Sequence, residues 1–292
     1  RFFSDLSGIS EISILCKKNS IYEYFLYISA SLISGTPIVL LDSDLSDSEI
    51  KELCGNDSFL QKNNVNIPQV TSFEEFLSLI KAGASSWTCT LFTSGTTGIP
   101  KRISHSLKSL ARQAKISPKH SDDIWAFAYN PTHIAGLQVF FQALFNANTI
   151  VRLFGLPAKE LIETIQRESI THISATPTFF RMLPAPEKPI QSVRAITSGG
   201  EKFDARAMEK LSKAFPSARI SNIYASTEMG SVLASKGDIF TPDENTKKLL
   251  QIKDGELWIH KSLAGESENI TLSGEWYNTG DCVEIISENP LS

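Results

Sequence analysis

The chain has 292 residues, 41% of them hydrophobic, enough to bury a sizeable core as one large domain or two ordinary ones. Its formal net charge of −4, with both signs mixed along the chain, leaves no basic stripe and argues against nucleic acid as a partner. Four cysteines, Cys16, Cys54, Cys89 and Cys282, stand without Cys-x-x-Cys spacing, which argues against a disulfide scaffold and a zinc site and implies reduced thiols in a cytoplasmic setting.

The opening, Arg1-Phe2-Phe3-Ser4-Asp5, carries neither an initiator methionine nor a signal-peptide pattern, so the chain is expected to begin inside a longer gene product. Tyr24 to Leu41 is uncharged and approaches the length of a membrane span. Three serines and Gly35-Thr36-Pro37 interrupt it, so it divides into a buried helix, Tyr22 to Ile33, and a buried strand, Pro37 to Leu41, and no transmembrane segment is expected. From Ser46 to Ala84 the pattern predicts a helix, a polar loop over Asn56 to Asn66 and a second helix over Phe73 to Ile80. The apolar run Trp87 to Leu91 then leads into Phe92-Thr93-Ser94-Gly95-Thr96-Thr97-Gly98-Ile99-Pro100-Lys101, and a helix is expected from about Ser104. Two glycines let this loop approach a ligand, while Thr93, Ser94, Thr96 and Thr97 offer hydroxyls and Lys101 a cation, an inventory that suits phosphate oxygens. The Walker spacing is not met, because Gly98 is followed by Ile-Pro-Lys-Arg, and a plain Ser/Thr/Gly turn is the alternative.

Trp125, Phe127 and Tyr129 alternate as a half-buried strand, and Gln138 to Phe145 reads as a buried helix. Strands over Thr149–Leu153, Ile170–Ala175, Val193–Thr197 and Arg219–Tyr224 then alternate with helices over Lys159–Glu168 and Asp204–Phe215. In the latter, Met208, Leu211 and Phe215 share one face. This alternation predicts an α/β fold with mostly parallel sheets flanked by helices, whose ligands bind beyond the carboxyl ends of the strands. Ser198-Gly199-Gly200-Glu201 and Ala225 to Glu228 emerge at such ends. After Val232, strand candidates at Glu256–His260, Glu268–Leu272 and Cys282–Ile286 predict a small β-rich subdomain. The expected division is therefore 1–235 and 236–292. His105, His120, His172 and His260 lack partners at ligand spacing and are taken as structural or exposed.

Three strings, in order, resemble the signatures of the adenylate-forming superfamily, which includes acyl-CoA synthetases, nonribosomal peptide adenylation domains and luciferases. They are the loop at 93–101, Asn222-Ile223-Tyr224-Ala225-Ser226-Thr227-Glu228, and Gly274-Glu275-Trp276-Tyr277-Asn278-Thr279-Gly280-Asp281. The resemblance covers about residues 22 to 286 and implies activation of a small carboxylic acid by ATP to an acyl-adenylate, then transfer to CoA or to the phosphopantetheine of an acyl carrier protein. It further implies that the hydroxyls and amides of Thr93, Ser94, Gly95, Thr96, Thr97 and Gly98 hold phosphates, with Lys101 supporting the loop. Thr227 would bond the α-phosphate and Glu228 would hold Mg²⁺. Tyr224, within the string that starts at Asn222, would stack on adenine beside a wall of Gly199, Gly200 and Glu201. Ala225 and Ser226 would border the adenylate, and Asp281 would accept from the ribose hydroxyls. The stretch Asn130-Pro131-Thr132-His133-Ile134-Ala135-Gly136-Leu137 resembles the family's segment bordering the carboxylate, which brings in His133.

Each string also has a plain structural reading: Thr227-Glu228 as a helix start and Thr279-Gly280-Asp281 as a turn. Ala225 departs from the glycine usual in the family. The hinge and the C-terminal domain with its catalytic lysine are expected beyond the residues given. A non-catalytic nucleotide-binding module is the alternative function, and a phosphoryl-transferring NTPase a third.

Overall fold

Ser20 caps a helix over Ile21–Ser34 by accepting the Glu23 amide, and Gly35 ends it in the left-handed region at φ 67°. The next strand, Ile38–Leu41, is buried along its whole length. This computed structural model describes residues 1–55, 62–93, 100–201, 203–235, 237, 239–265 and 272–286. They form two units, the first of residues 1–121 and 130–147, the second of residues 122–129 and the described residues from 148 onward.

In the first unit, strands Leu15–Lys17, Ile38–Leu41, Thr88–Thr93 and Lys101–Ser106 lie in that order, parallel except for the last pair, which is antiparallel. The helix expected from Ser104 is thus corrected to a strand, followed by a single helical turn at Leu107–Leu110 capped by Ser106. Ile103 and His105 are buried between more open neighbours, the period-two alternation of a strand. Lys62–Asn64, expected in a polar loop, pairs with Glu11–Ser13; residues 56–61 lie outside the described set. The helix Ile134–Phe145 is apolar on nearly every side, as a buried helix must be. Its Phe140 stacks on Phe25 at 4.2 Å, and Phe141 meets Trp87 edge-on at 6.3 Å.

In the second unit a six-stranded sheet runs Gly230–Ser235, Arg219–Ser226, Ala195–Gly199, His172–Ala175, Ile124–Phe127, Thr149–Arg152, parallel but for the first pair. Ala126, Ile173 and Ile196 bury one face of it against Leu161 and Ile165 of the helix Ala158–Arg167, Phe180 of Pro177–Met182, and Leu211 of Ala205–Ala214. Met208, Leu211 and Phe215 do share a face against this core.

A four-stranded antiparallel sheet follows, in the order Leu250–Lys253, Glu256–His260, Trp276–Cys282, Leu272–Ser273. The strand expected at Cys282–Ile286 is corrected to Trp276–Cys282, so the Thr279-Gly280-Asp281 triplet lies in a strand. Of Glu268–Leu272 only Leu272 is described. Leu257 and Ile259 of this small sheet, with Leu263 in the short turn Lys261–Leu263 that follows, bury themselves against Met229 and Val232 at the edge of the six-stranded sheet, and the position 235/236 falls within this second unit. Among the described residues no helix is long and apolar enough to cross a membrane.

Gly83 closes the helix Phe73–Gly83 where it meets the end of Ile21–Ser34. A Cβ there would lie 1.9 Å from the Leu32 carbonyl oxygen and 2.8 Å from that of Ile33. Gly83→Ala should therefore destabilise the protein by about 3 kcal/mol or more, since neither backbone oxygen can move aside cheaply. Gly8→Ala, whose Cβ would meet its nearest atom at 3.4 Å, should cost far less. Urea midpoints of the two variants test this, and equal midpoints would show that the helices do not touch at Gly83.

Candidate functional site

Strand Arg219–Ser226 is the axis of the candidate site in the second unit. It pairs in parallel with Ala195–Gly199 and turns back through Thr227 and Glu228 into antiparallel Gly230–Ser235. The helix start considered for Thr227-Glu228 is thereby corrected to a hairpin turn. Gly199 lies opposite Ile223 so closely that a Cβ would stand 3.0 Å from the Ile223 carbonyl oxygen. Gly200, at φ 85°, needs the left-handed region that glycine tolerates. Glu201 accepts from the Thr178 hydroxyl at 2.7 Å and from Arg181 at 2.9 Å. Asn222 is buried and its amide donates to the Gly237 carbonyl at 3.1 Å. A register irregularity falls between Tyr224 and Ala225, and Ala225 is half-buried. The Ser226 hydroxyl, like that of fully buried Ser198, is shielded and has no partner among the described residues.

Two strings far apart in sequence meet here. The Tyr224 hydroxyl donates to Oδ2 of Asp281, while Oδ1 of that exposed carboxylate has no partner among the described residues. Burial, then the Asp281 carboxylate beside the hydroxyl, push the Tyr224 pKa up, so it stays a donor throughout the physiological range. The ring also meets Phe240 edge-on at 6.3 Å. Burial, with the charges of Glu228 and Asp281, likewise raises the Tyr277 pKa, placing this phenol within the field of both carboxylates. The backbone around Asp281 is pinned: its N–H donates to the Thr279 hydroxyl at 3.1 Å, and that hydroxyl donates to the Leu257 carbonyl at 2.8 Å.

In the first unit, Thr93 and Lys101 face each other as the last paired residues of the hairpin whose strands are Thr88–Thr93 and Lys101–Ser106. Ser94, Gly95, Thr96, Thr97 and Gly98 lie outside the described residues. His133 caps the helix Ile134–Phe145 through its backbone only. The turn before it is fixed by Asn130, whose Oδ1 accepts from the Thr132 amide at 3.0 Å and hydroxyl at 2.9 Å, and whose amide donates to Asp42.

Sequence reasoning missed the contributions of Asp42, Asn130, Arg181 and Tyr277. Asp42 lies just past the strand Ile38–Leu41 with no motif around it, and Asn130 and Tyr277 sit inside strings whose signal comes from neighbouring residues. Among the described residues no group of three potential ligands gathers as a metal cage.

Desolvation lowers the His133 pKa from its ordinary value of 6.5, with Asp42 opposing, although the residue as a whole is exposed. A histidine whose folded pKa lies below its unfolded one takes up its proton first in the unfolded chain. Its share of stability is therefore present above about pH 6.5 and lost as pH falls through that value. His133→Gln should flatten the decline in urea midpoint between about pH 7.5 and 5. A variant whose midpoint falls as steeply as that of the wild type would contradict this assignment.

Comparison with known proteins bears on the whole. A 2-succinylbenzoate–CoA ligase of Bacillus subtilis is 26% identical over 243 residues, covering 74% of this chain and 49% of its own length. That of Bacillus pumilus is 28% identical over 160 residues, covering 53% of this chain and 32% of its own. The chain thus spans less than half the length of either relative. The solved structure of wild-type E. coli MenE, with a bound phenylether-linked analogue of OSB-AMS, matches with a TM-score of 0.66 at 16% identity, covering 96% of this chain and 68% of that one. At that identity the likeness establishes the fold, that of the N-terminal domain of adenylate-forming enzymes. The family model described as AMP-binding enzyme matches residues 39–252, most of the chain, and the chain belongs to that family.

Proposed function

We propose that this chain carries the region of an AMP-forming acid–thiol ligase that binds ATP and a carboxylic acid and joins them. A carboxylate oxygen attacks the α-phosphorus, the bond to pyrophosphate breaks, and an acyl-adenylate forms. Attack of a thiol on the acyl carbon then releases AMP. The 2-succinylbenzoate–CoA ligases among the relatives favour CoA over a carrier-bound phosphopantetheine as the thiol.

The observation that carries this reading is the hydrogen bond between Tyr224 and Asp281, 57 residues apart and named by different strings. A chance turn and a chance strand end have no reason to meet. Two anions must be brought together, so the work of the residues is positioning and offsetting negative charge. The amides and hydroxyls of residues 93–98, with Lys101 at the loop's base, would hold phosphates, and Thr227 the α-phosphate. The Tyr224 ring would take adenine beside Gly199 and Gly200, and the partnerless Ser226 hydroxyl would turn to the adenylate. Desolvation lowers the His133 pKa and so favours its neutral imidazole, which would suit a donor to the substrate carboxylate. Glu228 is a single carboxylate and so suits Mg²⁺, which takes most of its ligands from phosphate and water and whose charge would offset that of the phosphates. Cysteines that form no disulfide fit a reducing cytoplasm.

Exchange of labelled pyrophosphate into ATP, screened over a panel of carboxylic acids, is the test. Acid-dependent exchange with AMP as the nucleotide product is expected. ADP as product, or hydrolysis indifferent to acid, would overturn the reading in favour of a phosphoryl-transferring NTPase. Asp281→Ala should weaken ATP binding about ten- to a hundredfold, the equivalent of charge-assisted hydrogen bonds of roughly 1.5–3 kcal/mol. Calorimetric titration measures it, and unchanged affinity in a folded variant would remove Asp281 from the site.

A further inference from the structure

The surroundings of Asp281 leave one freedom to account for. Its backbone is held by Thr279, and Gly280 on the preceding side is held at φ 74° by donating to Asn278 Oδ1 at 2.8 Å. The side chain itself is exposed, and an exposed carboxylate samples several rotamers. Among the described residues one hydrogen bond restrains it, from the hydroxyl of Tyr224 to Oδ2. Tyr224 is in turn rigid, because its backbone is paired with Leu233 of the adjoining strand and its ring lies against Phe240. A hydrogen bond from a neutral phenol to a carboxylate is among the stronger ones available to a side chain, and it occupies a single oxygen. Oδ1 has no partner among the described residues, and Oδ2 keeps a second lone pair.

We infer that Tyr224 is a positioning residue for Asp281: its hydroxyl fixes the carboxylate rotamer so that the open oxygen meets the vicinal hydroxyls of a nucleotide ribose, coupling the base and sugar subsites. The inference rests on the nucleotide-binding reading above. It assigns to the phenol oxygen a task separate from stacking, which the ring alone performs. A tyrosine serving only to stack would be replaceable by phenylalanine without loss.

The test is calorimetric titration of the 292-residue protein and its Tyr224→Phe variant with ATP and with 2′,3′-dideoxy-ATP. The variant keeps the ring and loses the hydroxyl. Wild type should prefer ATP, through the ribose hydroxyls. In Tyr224→Phe the affinity for ATP should fall about three- to tenfold while that for the dideoxy nucleotide stays within about twofold, so the preference collapses. In an Asp281→Ala background the same substitution should have no further effect on ATP, the signature of coupled residues. A variant that retains the wild-type preference would overturn the proposal, and so would equal weakening toward both nucleotides, which marks a merely structural role. Failure of the wild type to bind either nucleotide is a different outcome: it removes the nucleotide-binding reading itself and this proposal with it.

Discussion

Backbone pairing along Arg219–Ser226 is the constraint on which the candidate site depends. On one side the strand runs parallel to Ala195–Gly199, and on the other it turns back into Gly230–Ser235. The parallel register sets Gly199 so close to Ile223 that a side chain there would force its neighbour to shift. The antiparallel register sends Thr227 and Glu228 into a turn instead of a helix, and the irregularity after Tyr224 lets the strand bend as it leaves the sheet. Backbone hydrogen bonds, which every residue must satisfy in any case, thus aim several side chains at once.

The second dependence is hydrophobic. The small antiparallel sheet is too thin to bury both faces, and Leu257, Ile259 and Leu263 pack onto Met229 and Val232, the residues just past the hairpin turn. That shared core brings the strand Trp276–Cys282 alongside Tyr224 and so brings Asp281 to its hydroxyl. A composition change near residue 235 was legible in the sequence as a change of texture. The shared apolar contact was not, because it joins residues whose alternation reads the same whether they cover their own sheet or another.

Much of the fold followed from local signals that physics ties to structure: Ser20 and Gly35 at the ends of one helix, Asp204 before another, and the spacing of Met208, Leu211 and Phe215. The misreadings have a common cause. Residues 101–106 contain few apolar side chains, and alternation carried by one isoleucine and one histidine is a weak signal against the expectation of a helix after a glycine loop. Thr279-Gly280-Asp281 has turn composition, yet the pairs on either side of it, Trp258 with Asn278 and Glu256 with Cys282, carry it within the strand as a register irregularity. In both places tertiary pairing overrode local propensity. The site residues were legible only through the three strings. Arg181, Asp42 and Asn130 hold their neighbours by contacts that no spacing in the sequence announces.

Charge clusters occur at both ends of the parallel sheet, and their hydrogen bonding distinguishes them. At the amino ends of three adjacent strands, buried Asp123 is met by Arg194 at 3.1 Å and by His172 at 3.6 Å, and His172 stacks on Trp125. A carboxylate so deeply placed must be paired, because an uncompensated buried charge costs several kcal/mol. Its partners are protein groups, which makes it a fastening between strands. Asp281, bonded to Tyr224 toward the carboxyl end of its strand, is exposed and among the described residues is held on one oxygen only; the Ser226 hydroxyl, at the end of that strand, is shielded and likewise has no partner among them. The Asp123 carboxylate is thus bound on both oxygens by side chains at the amino ends of neighbouring strands, whereas Asp281 keeps an oxygen without a partner among the described residues, which suits it to the ligand hydroxyls proposed for it.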